Sequence, residues 1–240
     1  MSNSYFQFKQ FTIQQDQCAM KVTTDACLFG AWVAEQVKND KGRVMDIGAG
    51  TGLLSLMLAQ KNPIIEVMAI EIDPPAVEQA GKNIQDSPWA SRIKVIKDDS
   101  RRRTAQSYDI IISNPPFYEK EIPSANEQRS VALHDQGLTL NQLAGILQKN
   151  LKPGGSFFLL LPYKRNAEIR KLFKGQVFTI PKIVLVRQSV DHDFFRVMLH
   201  GVKENNSTQE TLIEEMSITD DKQKYTAGFE ELLKDYYLKF

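Results

Sequence analysis

A chain of 240 residues with 42% hydrophobic and 25% charged side chains suits one globular domain with a full core, or one domain with a small appendage. Its net charge of +1 supplies no global field that would impose nucleic acid as a partner, although local basic clusters stay open. The two cysteines, Cys18 and Cys27, make neither a disulfide framework nor a paired zinc motif. With no signal-peptide core near the start and no run of roughly 18 apolar residues, the expectation is a cytoplasmic protein without metal.

In chain order, residues 1–30 precede the first strand–helix unit and carry Phe6, Phe8 and Phe11, which are expected to pack as core. "RVMDIG" reads as a strand and "TGLLSLMLAQK" as a helix. "IIEVMAIEID" is a second strand, followed by the helical "PPAVEQAGKNIQ", whose prolines suit a first turn. "IKVIKDD" and "YDIIIS" are a third and a fourth strand. The helix "LTLNQLAGILQKNL" is expected to stop at "KPGG", with Gly154 and Gly155 as C-cap candidates. "SFFLLLP" is a fifth strand, "RNAEIRKLFK" a helix, and "TIPKIVLVRQ" and "FFRVMLHGV" a final pair whose short link makes them antiparallel. Apolar strands alternating with helices imply a parallel sheet covered on both faces. The expected fold is thus doubly wound α/β: a Rossmann-like, seven-stranded, mostly parallel sheet ending in an antiparallel hairpin. Residues 31–203 form the expected core. Residues 204–240, a polar linker and an amphipathic tail, form an extension packed on it.

"DIGAGTG" stands where the first strand turns into the first helix, and Gly48, Gly50 and Gly52 allow a sharp turn and close approach of backbone to a ligand. The spacing differs from the dinucleotide fingerprint, and so does Asp46 before it. Glu71 ends the second strand, where an acid can accept ribose hydroxyls. Asp73 follows, as a further ligand contact or as a helix cap. Asp99, or its neighbour Asp98, can accept from an adenine amine after the third strand. Acids beside a glycine loop oppose a pyrophosphate and favour a cationic ligand. These residues resemble the class I S-adenosylmethionine-dependent methyltransferases, over roughly residues 40 to 200.

The fourth strand runs into "SNPPF". Within those methyltransferases, Asn114, Pro115, Pro116 and Phe117 are similar to the Asn-Pro-Pro-(Phe/Tyr) motif of enzymes that methylate planar nitrogens. Asn114, which would also lie against the cofactor, and the Pro115 carbonyl can each accept one N–H of an exocyclic amine. Phe117 can stack on the planar acceptor. The stretches "KQF", "CAMKVTTD" and "SPWASRI" and the terminal "YTAGFEELLKDYYLKF" extend the similarity over nearly the whole chain to the bacterial tRNA adenine-N6 methyltransferases. Those enzymes act on the adenine at position 37 of a valine tRNA. The resemblance implies S-adenosylmethionine as cofactor and the tRNA anticodon loop as substrate. It also places Lys21, Thr24 and Asp25 in a segment closing over the cofactor's amino acid end. A monomer is the default.

The same motif also serves protein glutamine N5-methylation, though such enzymes usually carry a helical N-terminal domain, and ribosomal RNA guanine-N2 methylation. A catalytically silent S-adenosylmethionine- or RNA-binding module is the alternative from another class, and an intact Asn114 argues against it. Lys9, Arg101, Arg102, Arg103, Lys164, Arg165, Arg170 and Lys171 form local basic clusters, and His192 lies in a loop between strands. The polar stretch at 119–136 could serve as a lid or as a tRNA contact.

Overall fold

The computed structural model describes residues 3–18, 20–103, 105, 107–115, 138–173, 177–204 and 210–240. Pro116, Phe117 and the 119–136 stretch therefore lie outside the described residues. A short antiparallel pair, β1 (Tyr5–Gln7) and β2 (Thr12–Gln14), comes first. The central sheet contains β3 (Gly42–Ile47), β4 (Ile65–Glu71), β5 (Ile93–Lys97), β6 (Tyr108–Ser113), β7 (Leu151–Pro162), β8 (Thr179–Ser189), β9 (Phe194–Val202) and β10 (Leu212–Thr219). Its order is β10-β8-β9-β7-β6-β3-β4-β5. Only β9 runs antiparallel, paired with β7 on one side and β8 on the other. The doubly wound sheet with its antiparallel hairpin is thus as the apolar runs imply. The strand count differs, because the tail adds an eighth strand, β10, parallel to β8.

Among the described residues six α-helices cover the faces: α1 (Thr24–Gln36), α2 (Leu53–Lys61), α3 (Pro74–Gln85), α4 (Leu140–Asn150), α5 (Asn166–Phe173) and α6 (Ala227–Leu233). Their starts follow local chemistry. The side chains of Thr23, Asp73 and Thr226 accept from backbone N–H groups of α1, α3 and α6. Thr139 and Gln142 close a reciprocal capping box on α4. The Asp73 alternative raised by the sequence, a cap before Pro74, is the arrangement seen.

The period-two alternation of strand side chains sorts the core into two layers. Val44, Ile110, Ile112 and Phe158 pack with α1, α2, α6 and the aromatic residues Phe8 and Phe11 of the N-terminal segment. Met45, Ile47, Ile111, Phe157 and Leu159 pack with α4 and α5. Helix α2 has all seven residues from Leu53 to Ala59 buried, which explains its apolar character all round.

The glycine C-cap expectation fails. Chain direction changes immediately after α4, with Leu151 already extended at φ −84° and ψ 135°. Gly154, at φ +75°, instead serves an irregularity early in β7, where its N–H meets the carbonyl of Lys203 at 2.7 Å.

Candidate active site

The carboxyl ends of β3, β4, β5, β6, β7, β8 and β10 share one edge of the sheet, because all seven run in the same direction. Such an edge is where open α/β sheets bind ligands, at the point where strand order reverses. Here the reversal falls between β3 and β6, and the glycine loop follows β3 while Asn114 follows β6.

Gly48, Gly50 and Gly52 all adopt positive φ, at 70°, 54° and 82°. The loop is tied to β4, with the N–H groups of Gly48 and Ala49 both donating to the Ile70 carbonyl. The N–H of Gly50 donates to Glu71 Oε2 at 2.9 Å, and Glu71 Oε1 accepts from Ile72 and Asp73. A carboxylate offers about four acceptor positions. Three backbone donors on Glu71 therefore leave room for one more, such as a ribose hydroxyl. A Cβ built on Gly48 or Gly50 meets no described atom within 4 Å, so open space faces both.

Asp46 is fully buried, and Ser55 of α2 donates to its Oδ2 at 2.7 Å. Its Oδ1 has no partner among the described residues. Burial pushes its pKa up to about 7, against the hydrogen bond from Ser55; the nearby Glu71 charge pushes the same way as burial. An orphaned buried carboxylate oxygen beside a glycine cradle is the arrangement that a cationic ligand completes, so these residues fit the amino acid and sulfonium end of S-adenosylmethionine.

At the end of β5 the acids are already paired. Arg101 holds Asp99 through Nε and Nη2, one edge of its guanidinium, at 2.8 and 2.9 Å, and Arg103 meets Asp98 at 2.7 Å. The Arg101 pairing holds the Asp99 carboxyl below the usual carboxylate range. Much of the basic run at 101–103 thus neutralises its own neighbours, although Arg102 is largely exposed.

On the acceptor side, Asn114 is half-buried and Pro115 buried. Ser113, fully buried, donates from Oγ to the Ile47 carbonyl at 2.8 Å. It stands one residue before Asn114, and Ile47 one residue before Gly48. The hydroxyl therefore ties the strand end of the motif to the strand end of the glycine loop. Asn83 of α3 does similar work behind that loop, with Nδ2 donating to the carbonyls of Thr51 and Gln14. Sequence reasoning missed both, as well as Ser55, although a lone serine inside "LLSLMLA" was a visible signal.

The N-terminal residues are placed differently from one another. Lys21 is exposed and its ammonium reaches the carbonyl of Asn3, while Thr24 opens α1 beside the capping Thr23. Asp25 is buried, and its carboxylate is engaged by Arg196 of β9 at 2.7 Å. His192 is exposed in the β8–β9 turn, with Nδ1 2.6 Å from the hydroxyl of Ser189. Among the described residues no group of three or more His, Cys, Asp or Glu could hold a metal. No described helix is long and apolar enough to cross a membrane.

Residues 30–174 match the family model of the methyltransferase small domain. The chain belongs to this methyltransferase family. Its curated relatives include a tRNA1(Val) (adenine(37)-N6)-methyltransferase of Dyadobacter fermentans, 36% identical over 99% of each chain. A relative of the same name in Haemophilus influenzae is 39% identical over 99% of this chain and 100% of its own. A third, in Bacteroides fragilis, is 34% identical over the full length of both. Among solved structures, a predicted O-methyltransferase of Agrobacterium tumefaciens superposes with a TM-score of 0.66 at 18% identity, covering 88% of this chain and 96% of that one. At that identity the likeness shows the fold alone, that of the class I methyltransferases; S-adenosylmethionine as the methyl donor follows from membership of the methyltransferase family and from its full-length relatives.

Proposed function

We propose that the chain methylates the exocyclic N6 amine of an unpaired adenine in the tRNA anticodon loop, at position 37 of a valine tRNA. The observation that carries this reading is full-length similarity to relatives bearing that name, at 34–39% identity, rather than similarity confined to the cofactor half. The local chemistry of the acceptor strand supports it. Bound S-adenosylmethionine supplies an electrophilic methyl group on a sulfonium.

The adenine amine has its lone pair delocalised into the ring and is a poor nucleophile. In this reading the Asn114 side-chain oxygen and the Pro115 carbonyl each accept one of its N–H groups, which turns the nitrogen lone pair toward the donor. No side-chain base need act before attack, because the methylated cation is strongly acidic. The contribution of the chain is then orientation and electrostatics, with Ser113 fixing Asn114 relative to the glycine loop. Phe117 is assigned the stacking of the base, and Pro116 the rigidity of the turn. On the donor side, Gly48, Gly50 and Gly52 cradle the ligand. Asp46 faces its cationic end, Glu71 its ribose and the Asp98–Asp99 turn its adenine. A loop base is also less costly to splay out than a duplex base.

The test is methyl transfer from labelled S-adenosylmethionine into total tRNA lacking the modification, followed by nucleoside digestion. Wild type should yield N6-methyladenosine, and Asn114→Ala should lower turnover by roughly a hundredfold or more while cofactor still binds. Label in a protein fraction or in ribosomal RNA, with none in tRNA, would transfer the substrate assignment to the corresponding rival.

A further inference from the structure

Arg196 is not accounted for by the site as described, and its setting is unusual for a surface arginine. Its Nε donates to Asp25 Oδ2 at 2.7 Å, and the Asp25 side chain is only 11% exposed. The ring of Phe195 lies 5.5 Å from its guanidinium carbon. The Arg196 side chain is itself 35% exposed. Among the described residues its two terminal nitrogens have no hydrogen-bond partner. One edge of the guanidinium is thus anchored by a buried acid, leaving the terminal NH2 groups, four N–H donors, for a ligand. Such a fork matches the oxygens of a phosphate.

Its position follows from strand register. Ser113 of β6 stands opposite Leu159 of β7, and Pro162 of β7 stands opposite Arg196 of β9. Arg196 therefore lies two strand spacings from the acceptor strand, about 10 Å, and about two residues beyond Asn114 along it, about 7 Å. The offset is comparable with the separation between a base edge and the phosphates that flank it.

We infer that Arg196 is a phosphate-binding residue for the RNA substrate, holding a backbone phosphate next to the target nucleotide, with Asp25 as its positioning residue. The inference rests on the tRNA reading and deepens it. The structure gives Asp25 a task on the acceptor side: its charge fixes the fork of Arg196. Without Arg196 that buried carboxylate would be uncompensated. The pair is therefore best removed together.

The experiment measures tRNA affinity of the full chain against salt concentration for wild type, the double variant Asp25→Asn/Arg196→Gln, and Arg196→Lys. One lost phosphate contact should lower the slope of log affinity against log salt by about 0.7 to 0.9. The double variant should show that change together with a loss of affinity of roughly tenfold, and the affinity of Arg196→Lys for S-adenosylmethionine should match wild type. Arg196→Lys retains a cation opposite Asp25 and hence the fold. It should keep the slope but bind several-fold more weakly, since a point charge cannot reproduce the fork. Wild-type affinity and slope in both variants, with wild type methylating tRNA, would overturn the inference alone. A wild-type protein that neither binds nor methylates tRNA would overturn the tRNA reading and this inference with it.

Discussion

Replacing Asp46 with asparagine should change how stability depends on pH, and by an amount the structure sets. The carboxyl is fully buried, takes one hydrogen bond from Ser55, and has its pKa raised from the ordinary 3.8 to about 7. The folded protein therefore binds more protons than the unfolded chain between about pH 4 and pH 7. Below that window the group costs nothing. As pH rises through it, stability falls, and above pH 7 the whole ionisation penalty is present. One pKa unit is worth about 1.4 kcal/mol, so the penalty grows by about 3 kcal/mol between pH 5 and pH 8. Asparagine keeps an oxygen for the Ser55 hydroxyl and carries no charge, so it lacks this decline. The ligand-free Asp46→Asn protein should gain on wild type by about 3 kcal/mol over that interval, which is roughly 6 to 12 °C in Tm for a chain of this size. Cofactor affinity should move the other way: in wild type it rises with pH as Asp46 ionises, and in the variant it stays low. Thermal and denaturant melts at pH 5 and pH 8, with cofactor titrations at both, provide the readout. A stability difference between the two proteins that is the same at both pH values would mean that Asp46 is already charged in the folded state, and the reasoning would fail.

Two further substitutions probe the same edge, and a third the core behind it. Gly48→Ala places a methyl group where φ is +70° and where no described atom lies within 4 Å. Stability should drop by only about 1–2 kcal/mol, whereas cofactor affinity should drop more than tenfold; unchanged affinity in a titration would remove Gly48 from the cradle. Ser113→Ala deletes the bond to Ile47 at a cost of about 1 kcal/mol in a melt, and kcat should fall further than cofactor affinity does, because the acceptor motif loses its link to the glycine loop. Gly201→Ala puts a Cβ 2.0 Å from the ring of the buried Phe157, remote from the sheet edge that holds the site. It should destabilise by about 1–3 kcal/mol in denaturant melts while the turnover of the folded fraction stays near wild type.

The parallel core was legible because each strand buried on both faces must be nearly continuous in apolar residues, as "DIIIS" and "SFFLLLP" are. The tail strand was not. Leu212–Thr219 is an edge strand whose first four residues are exposed, so nothing forces an apolar run or a clean alternation on "LIEEMSIT". The glycines of "KPGG" were legible as a break and misassigned in kind. A helix that ends by entering a strand directly needs no left-handed cap, and the positive φ was required three residues later. The glycine loop, Glu71 and Asn114 could be placed at one sheet edge because they end or closely follow strands. The Asp25–Arg196 pair could not, since it joins residues 171 apart in sequence. The burial of Asp46 was equally hidden, because period-two counting places it on a face without saying what covers that face.

The two halves of the sheet edge differ in which polar groups are left open, and that difference bears on where transfer occurs. The ends of β3, β4 and β5 present Asp46, Glu71 and the Asp98–Asp99 turn. The far half presents Arg196 at the start of β9, Arg187 near the end of β8 and Arg165 just after β7, each paired with an acid (Asp25, Glu215 and Glu168), together with Lys164. The unpartnered Asp46 oxygen favours a sulfonium donor on the first half, and the terminal nitrogens of Arg196 favour a phosphate on the second. The two meet at β6, the strand at the topological switch, and the residue that follows it is Asn114. An uncharged amide suits that boundary. A carboxylate there would hold the sulfonium but oppose the nearby phosphates, and a cation would do the reverse. An amide oxygen there is able to accept an amine N–H without tilting the field toward either ligand.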